Sequence, residues 1–316
     1  MLLKKNIPFT YILGKIRKEL IFVSLYSILV ALMYNNFHFT RISIPIAIPT
    51  ILGTVISLLL AFKSNQAYDR WWEARIVWGA IVNDSRSLLR QVVAFYKDPD
   101  FSDEANNYKE RFAKRQAAWC FSLANRLRGK DSVKPAKEFL EDDEFQKIKR
   151  HKHVPNALLL LHSRELIKAM ENGRLNTFQQ VEIDNTLTRL CDSMGKAERI
   201  KNTIFPTTYS MYIRFTLCLF VILLPFGMVN DLGWLVVPVT TTIGAAFFLI
   251  EKMAIHLQDP FENRPTDTPM TVISNNILKD LLEMVNEYRE EYESELLKKT
   301  PHPIPAIKVK QPYFVL

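Results

Sequence analysis

Residues Ile42 to Phe62 read ISIPIAIPTILGTVISLLLAF, and Lys63 to Phe95 continue as KSNQAYDRWWEARIVWGAIVNDSRSLLRQVVAF. The first half carries no charge over about twenty positions. At about 1.5 Å per residue, that length crosses a hydrocarbon core of roughly 30 Å. Pro45 and Pro49 fall near its start, where a helix tolerates proline best. The second half is polar and charged. Ile76, Val77, Ile81, Leu88, Val92 and Phe95 return there at helical intervals. No Gly or Pro stands at Phe62–Lys63. The stretch therefore predicts one long helix that spans a membrane and projects into the cytoplasm.

Three further apolar runs surround it. Leu20–Tyr34 is marginal in length, and Asn35 to His38 complete it at an interface. Thr40–Arg41 turns the chain into the second run. Phe215–Val229 follows Arg214, whose stem reaches for the cytoplasmic interface, and is interrupted by Pro225. Gly233–Ile250 comes after the very short turn at Asn230–Asp231, so the last two runs form an antiparallel hairpin. The spans are placed at about 20–37, 42–62, 211–229 and 233–250, in an all-α membrane protein. Lys and Arg gather on the cytoplasmic side of membranes. The basic N-terminal segment, the charged part 63–209 and the part 251–299 are accordingly cytoplasmic, and the two short connections lie outside. The first apolar run sits too far in for a cleavable signal, and no small-residue cleavage site follows it.

The cytoplasmic part reads as all helical, with nine Gly and little period-two alternation. Helices are expected over Asn107–Leu127, Asn156–Glu171, Gln179–Lys201 and Val272–Leu297. Loops are expected at Lys97–Glu104, Gly129–Pro135 and around His151–Pro155. The tail 300–316 holds Pro301, Pro303, Pro305 and Pro312 and reads as extended. The whole of 1–316 is taken as a single domain. Three cysteines, Cys120, Cys191 and Cys218, lack metal spacing and read as reduced buried thiols.

Enzyme signatures are missing. There is no Walker loop, no dinucleotide glycine pattern and no HExxH. The six His are scattered, and His151 and His153 read as solvated. Glu141 to Glu144 read as a solvated acidic helix start. The net charge of +8 reflects cytoplasmic basic residues rather than a nucleic-acid partner. No catalytic residue, metal site or cofactor is expected. Three function classes compete: a passive channel, a non-conducting membrane sensor or scaffold with a helical interaction region, and a membrane-embedded enzyme. The last would need His or carboxylates converging near the spans, and the apolar runs hold none.

Thr54, Leu58 and Phe62 recur at i, i+4 and i+8 and so share one face of the second span. A neighbouring face carries Thr50, Ser57 and Ala61. Several copies around an axis would turn such a face into a constriction. A helix–helix seam inside one subunit would use the same pattern. Just past the span stand Asn65, Tyr68, Arg70, Trp71, Trp72, Glu73 and Arg75. Arg70 and Glu73 are spaced to pair. The adjacent Trp side chains point about 100° apart, toward different neighbours. This cluster reads as a rigid support for the inner end of the span.

The run from Phe62 to Gly79, FKSNQAYDRWWEARIVWG, resembles the signature of the bestrophin family. Further stretches agree. Glu198 to Thr203, with Pro206 and Tyr209-Ser210, resembles the family's approach to its third span. Asp259-Pro260-Phe261 resembles its Asx-Pro-Phe motif. Asn156-Ala157-Leu158, Ser163-Arg164 and Gly173-Arg174-Leu175 resemble the bacterial branch. The resemblance implies a homopentameric channel in a bacterial inner membrane, with five second spans around one axial pore. It places the neck at Phe62, Leu58 and Thr54, counting back from Arg70, although Thr54 is polar where a larger aliphatic is usual. It places a cytoplasmic aperture after Gly173-Arg174-Leu175, at Phe178. Asn65, Tyr68, Arg70, Trp72, Glu73, Arg75, Asp259, Pro260 and Phe261 become its structural signature. The acidic calcium-binding run of animal members is not matched, because Glu262-Asn263-Arg264-Pro265-Thr266-Asp267 contains Arg264 and Pro265. A calcium requirement is therefore not expected. Animal members imply chloride as the permeating ion, and the bacterial branch implies monovalent cations.

Overall fold

The structure, a computed structural model, describes residues 11, 14–37, 42–97, 102–203 and 206–299. The turn expected at Thr40–Arg41 and the extended tail expected over 300–316 lie outside the described residues. Among those described, nine helices follow in order. They are α1 (Arg17–Asn35), α2 (Ala47–Phe95), α3 (Asp103–Leu127), α4 (Asp142–Lys149), α5 (Val154–Glu171), α6 (Thr177–Asn202), α7 (Thr207–Leu232), α8 (Val236–Gln258) and α9 (Met270–Lys299). Short 3-10 turns occupy Lys134–Glu138 and Gly233–Leu235. The chain divides into two compact units. One comprises Met1–Gly79, Leu127–Gly129 and Ser193–Met270, and the other Ala80–Arg126, Lys130–Asp192 and Thr271–Leu316.

Arg17–Asn35, Ala47–Phe95 and Thr207–Gln258 are long and apolar enough to cross a membrane. The last folds back on itself. Gly233 ends α7 at φ +50°, a conformation that favours glycine, and α8 returns antiparallel. The Phe220 and Phe247 rings lie 5.0 Å apart across the hairpin. Helix α1 packs against both legs. Ser24 meets Thr241 at 3.2 Å and Ser27 meets Thr240 at 2.7 Å, polar pairs that suit helix contacts inside a membrane. Tyr34 donates to Asn230 Oδ1 at 2.6 Å, which brings the ends of the two short connections together.

Helix α2 begins at Ala47, not at Ile42 as the apolar run suggested. Pro45 disfavours a helical Ile44, and the Ile44 N–H instead donates to the Phe226 carbonyl at 3.2 Å. Ile56 and Leu60 then bury against Leu217, Phe220 and Leu224. Gly227 and Gly53 let the helices approach closely. A Cβ at Gly227 would stand 2.7 Å from Pro49 Cγ, and one at Gly53 would stand 3.0 Å from the Phe220 ring.

The second unit buries Phe112, Trp119, Leu123, Leu158 and Leu166. Ion pairs tie its helices together, with Arg86 to Asp280 at 2.8 Å and Arg189 to Asp84 at 2.9 Å. Three expectations need correction. Glu144 is not solvated, because it pairs with the buried guanidinium of Arg115. His153 caps α5, its Nδ1 accepting from the Asn156 N–H at 3.2 Å. Only Cys120 is a buried thiol, since Cys191 is exposed and Cys218 half-buried. Cys191 falls on an outward position of α6, where a small apolar side chain is tolerated.

Candidate functional site

The buried stripe of α2 runs Ile56, Leu60, Lys63, Ala67 and Ala74, each at most 1 % exposed. Thr54, Leu58 and Phe62 lie on the other side, all exposed on the single chain, Leu58 at 58 % and Phe62 at 56 %. They are not a seam inside one subunit. The hydroxyls of this side are turned inward onto the helix: Thr50 donates to Ile46 O, Thr54 to Thr50 O and Ser57 to Gly53 O, at 2.8, 3.0 and 2.6 Å. Bonding of this kind satisfies a hydroxyl locally and presents carbon outward.

One turn beyond Phe62 the signature residues spread over both sides of the helix. Asn65, Tyr68 and Trp72 are exposed. Arg70 does not pair with Glu73. Its guanidinium donates to the carbonyls of Ile200 (2.6 Å), Thr203 and Gln258 (3.0 Å). These carbonyls stand at the C-terminal ends of α6 and α8, where helices leave carbonyls without partners. Glu73 pairs instead with Arg199. The two Trp side chains take different main partners, as expected, and their rings also meet each other. Tyr68 stacks on Trp72 at 6.4 Å, and Trp71 lies 6.2 Å from Trp72. Trp71 Nε1 donates to the Thr266 carbonyl at 2.8 Å, and Arg75 lies over the Trp71 ring.

Asp259-Pro260-Phe261 ends α8 and anchors the loop after it. Phe261 is fully buried, and the Pro260 carbonyl accepts from Thr268 N–H at 3.0 Å. The Lys201 ammonium lies between Asp259 Oδ2 (2.6 Å) and Glu262 Oε1 (2.7 Å). Burial works against its charge, yet these two hydrogen bonds hold the Lys201 pKa above its ordinary value. The same hydrogen bond holds Glu262 below the usual carboxylate range.

Phe178 is 87 % exposed at the second position of α6. Asn176 and Gln179 exchange hydrogen bonds at 3.0 and 2.8 Å, a capping box that fixes this end of the helix and holds Phe178 outward.

Sequence reasoning missed a set of charges at one end of the apolar helices. Lys63 is fully buried, and its Nζ has no hydrogen-bond partner among the described residues. Glu251, 1 % exposed, accepts from Arg214 at 3.4 Å. Glu19 is shared by Arg214 at 3.6 Å and Lys252 at 3.3 Å. Arg214 thus binds carboxylates of two helices rather than reaching alone for the interface. The signal for Lys63 was present, since it follows Ile56 and Leu60 at helical spacing on the stripe that packs inward.

A family model described as "Bacterial/Fungal Bestrophin protein" matches residues 7–283. The chain is 31 % identical over 277 residues to the voltage-dependent anion channel-forming protein alr2987 of Nostoc sp., covering 85 % of this chain and 87 % of that one. It is 30 % identical over 276 residues to the voltage-dependent anion channel-forming protein YneE of Escherichia coli K12, covering 87 % and 88 %. The crystal structure of a bacterial bestrophin homolog from Klebsiella pneumoniae superposes with a TM-score of 0.78 at 28 % identity, over 86 % of this chain and 98 % of that one. Helical architecture, signature residues and relatives agree, and the chain belongs to the bestrophin family, a family of channels and not of enzymes.

Proposed function

We propose that the chain is a passive ion channel, a homopentamer with one axial pore in a bacterial inner membrane and both termini cytoplasmic. The observation that carries this reading is the exposed Thr54–Leu58–Phe62 side of the helix that bears the family signature. Five copies of that side form an apolar neck, which gates by dewetting. Phe178 forms the cytoplasmic aperture. Small monovalent ions permeate. The names of the Nostoc and Escherichia coli relatives favour anions such as chloride. Opening needs no calcium, because Lys201 already supplies a cation to Asp259 and Glu262.

The test is reconstitution in planar bilayers under a KCl gradient. A reversal potential on the chloride side supports an anion channel, and one on the potassium side replaces it with a cation channel. No conductance at all would make the chain a sensor or scaffold. Phe62→Ala is expected to raise the steady current several-fold by widening the apolar constriction. Unchanged current in a folded variant would place the neck elsewhere.

A further inference from the structure

The inner ends of α1 and α8 carry a concentration of positive charge that the channel reading does not use. Lys252 is engaged by Glu19 at 3.3 Å. One helical turn further along α8 stands His256, on the same face. The Arg264 guanidinium donates to the His256 carbonyl at 3.3 Å. Lys15, just before α1, lies over the Tyr11 ring at 5.1 Å. The charged side chains that act on the His256 imidazole are Lys15, Arg264 and Lys252, all cationic. The carboxylates of this end already have partners: Glu19 pairs with Arg214 and Lys252, Glu251 with Arg214 and Glu262 with Lys201, and the buried Asp267 accepts from the Arg264 backbone N–H at 2.9 Å.

Directly along the same two helices the surface turns apolar. Ile21, Phe22 and Leu25 of α1 are 50, 59 and 62 % exposed, and Ile250 and Met253 of α8 are 41 and 50 % exposed. Acyl chains lying on those side chains would bring a lipid headgroup to the level of Lys15 and His256.

We propose that Lys15, Lys252, Arg264 and His256 bind the phosphate of an anionic phospholipid. The cations provide charge complementarity, the imidazole adds a hydrogen bond, and the apolar side chains hold the acyl chains. The proposal rests on the membrane reading of α1 and α8, and it does not depend on which ion the pore conducts. Each basic side chain near an anionic bilayer surface adds measurably to such binding.

The full chain is exchanged into an equimolar mixture of phosphatidylglycerol and phosphatidylcholine, and retained lipid is counted by native mass spectrometry. The wild type is expected to retain phosphatidylglycerol, and Lys15→Gln/Arg264→Gln to lose that preference by about tenfold. Arg17→Gln/Lys18→Gln removes two exposed cations of α1 outside the proposed site and is expected to lose distinctly less of the preference. Equal retention of both lipids by the wild type overturns the proposal, as does equal loss in both double variants. Release of the lipid by millimolar inorganic phosphate would make this a free-anion site and also overturns it. If Arg264→Gln fails to fold, Lys15→Gln alone carries the comparison. Because lipid retention is read without conductance, failure here is distinguishable from failure of the channel reading.

Discussion

At the scale of single residues, buried polar groups decide what the protein tolerates. His162 is fully buried in the second unit, its ring 4.2 Å from that of Phe112, and neither nitrogen has a partner among the described residues. Burial first, and then the Arg115 charge, hold its pKa well below 6.5. The folded chain therefore keeps His162 neutral, while the unfolded chain takes up a proton as pH falls through about 6.5. The stability this gives is complete above that pH and falls by about 1.4 kcal/mol per unit below it, until the folded pKa is reached. Thermal unfolding between pH 8 and pH 5 is expected to show this loss in the wild type and a smaller one in His162→Phe. Parallel curves would mean that His162 is not the group that titrates. A second consequence concerns Lys201. A calcium ion takes about six to eight oxygens, and here the Asp259 and Glu262 carboxylates are occupied by an ammonium. Single-channel activity is therefore expected to be equal in chelator and in micromolar calcium. Silence in chelator with recovery on calcium addition would reverse that reading.

At the scale of elements, the same residue type acts with opposite sign according to what it touches. Gly227 of α7 leaves room for the Pro49 ring, and an added Cβ would meet Cγ at 2.7 Å. Gly227→Ala must push α2 away from α7, at a cost of about 1–3 kcal/mol. Gly195 of α6 has nothing within 4 Å of an added Cβ. Gly195→Ala is expected to stabilise by about 0.5–1 kcal/mol, because glycine is the poorer helix former. Opposite shifts in melting temperature check the pair, and destabilisation by both would show that α6 is packed at Gly195 in the assembly. The elements themselves were legible because apolar runs and 3.6-residue periodicity are local properties. Asp103–Leu127, Val154–Glu171 and Thr177–Asn202 extend the expected helices by a few residues, through caps such as His153 and Asn176. Partnerships were not legible. Arg70 and Glu73 sit three apart, yet each finds its partner more than a hundred residues away in sequence. Local spacing permits a pair, and tertiary structure offers better acceptors in the open carbonyls at helix ends. Lys63 was hidden for a related reason. A lone charge next to a long apolar run looks like the point where the chain leaves the membrane, whereas the helix buries it on the stripe with Ile56 and Leu60.

At the scale of the whole molecule, the single chain leaves unexplained surface. Leu58, Phe62, Tyr68, Trp72 and Ile76 are all about half exposed along one helix. Some of this side suits lipid, but Tyr68 and Trp72 stand in the polar stretch beyond the apolar run, interleaved with Asn65, Asp69 and Glu73. Large aromatic side chains in such surroundings mark an interface rather than a solvated surface. Leu58 and Phe62, the proposed neck, lie on the same helix, and the proposed pentamer would cover Tyr68 and Trp72 with neighbouring copies while setting Leu58 and Phe62 around the axis. Mass measurement in mild detergent is expected to give five times the 36.8 kDa chain mass after correction for bound detergent. Trp72→Ala is expected to shift the population toward smaller species while leaving the helical content unchanged, since Trp72 is 51 % exposed on the chain alone and its loss opens no internal cavity there. A stable monomer or dimer of the wild type would remove the basis for an axial pore. A Trp72→Ala variant that stays fully assembled would instead move the main contacts between copies away from this helix.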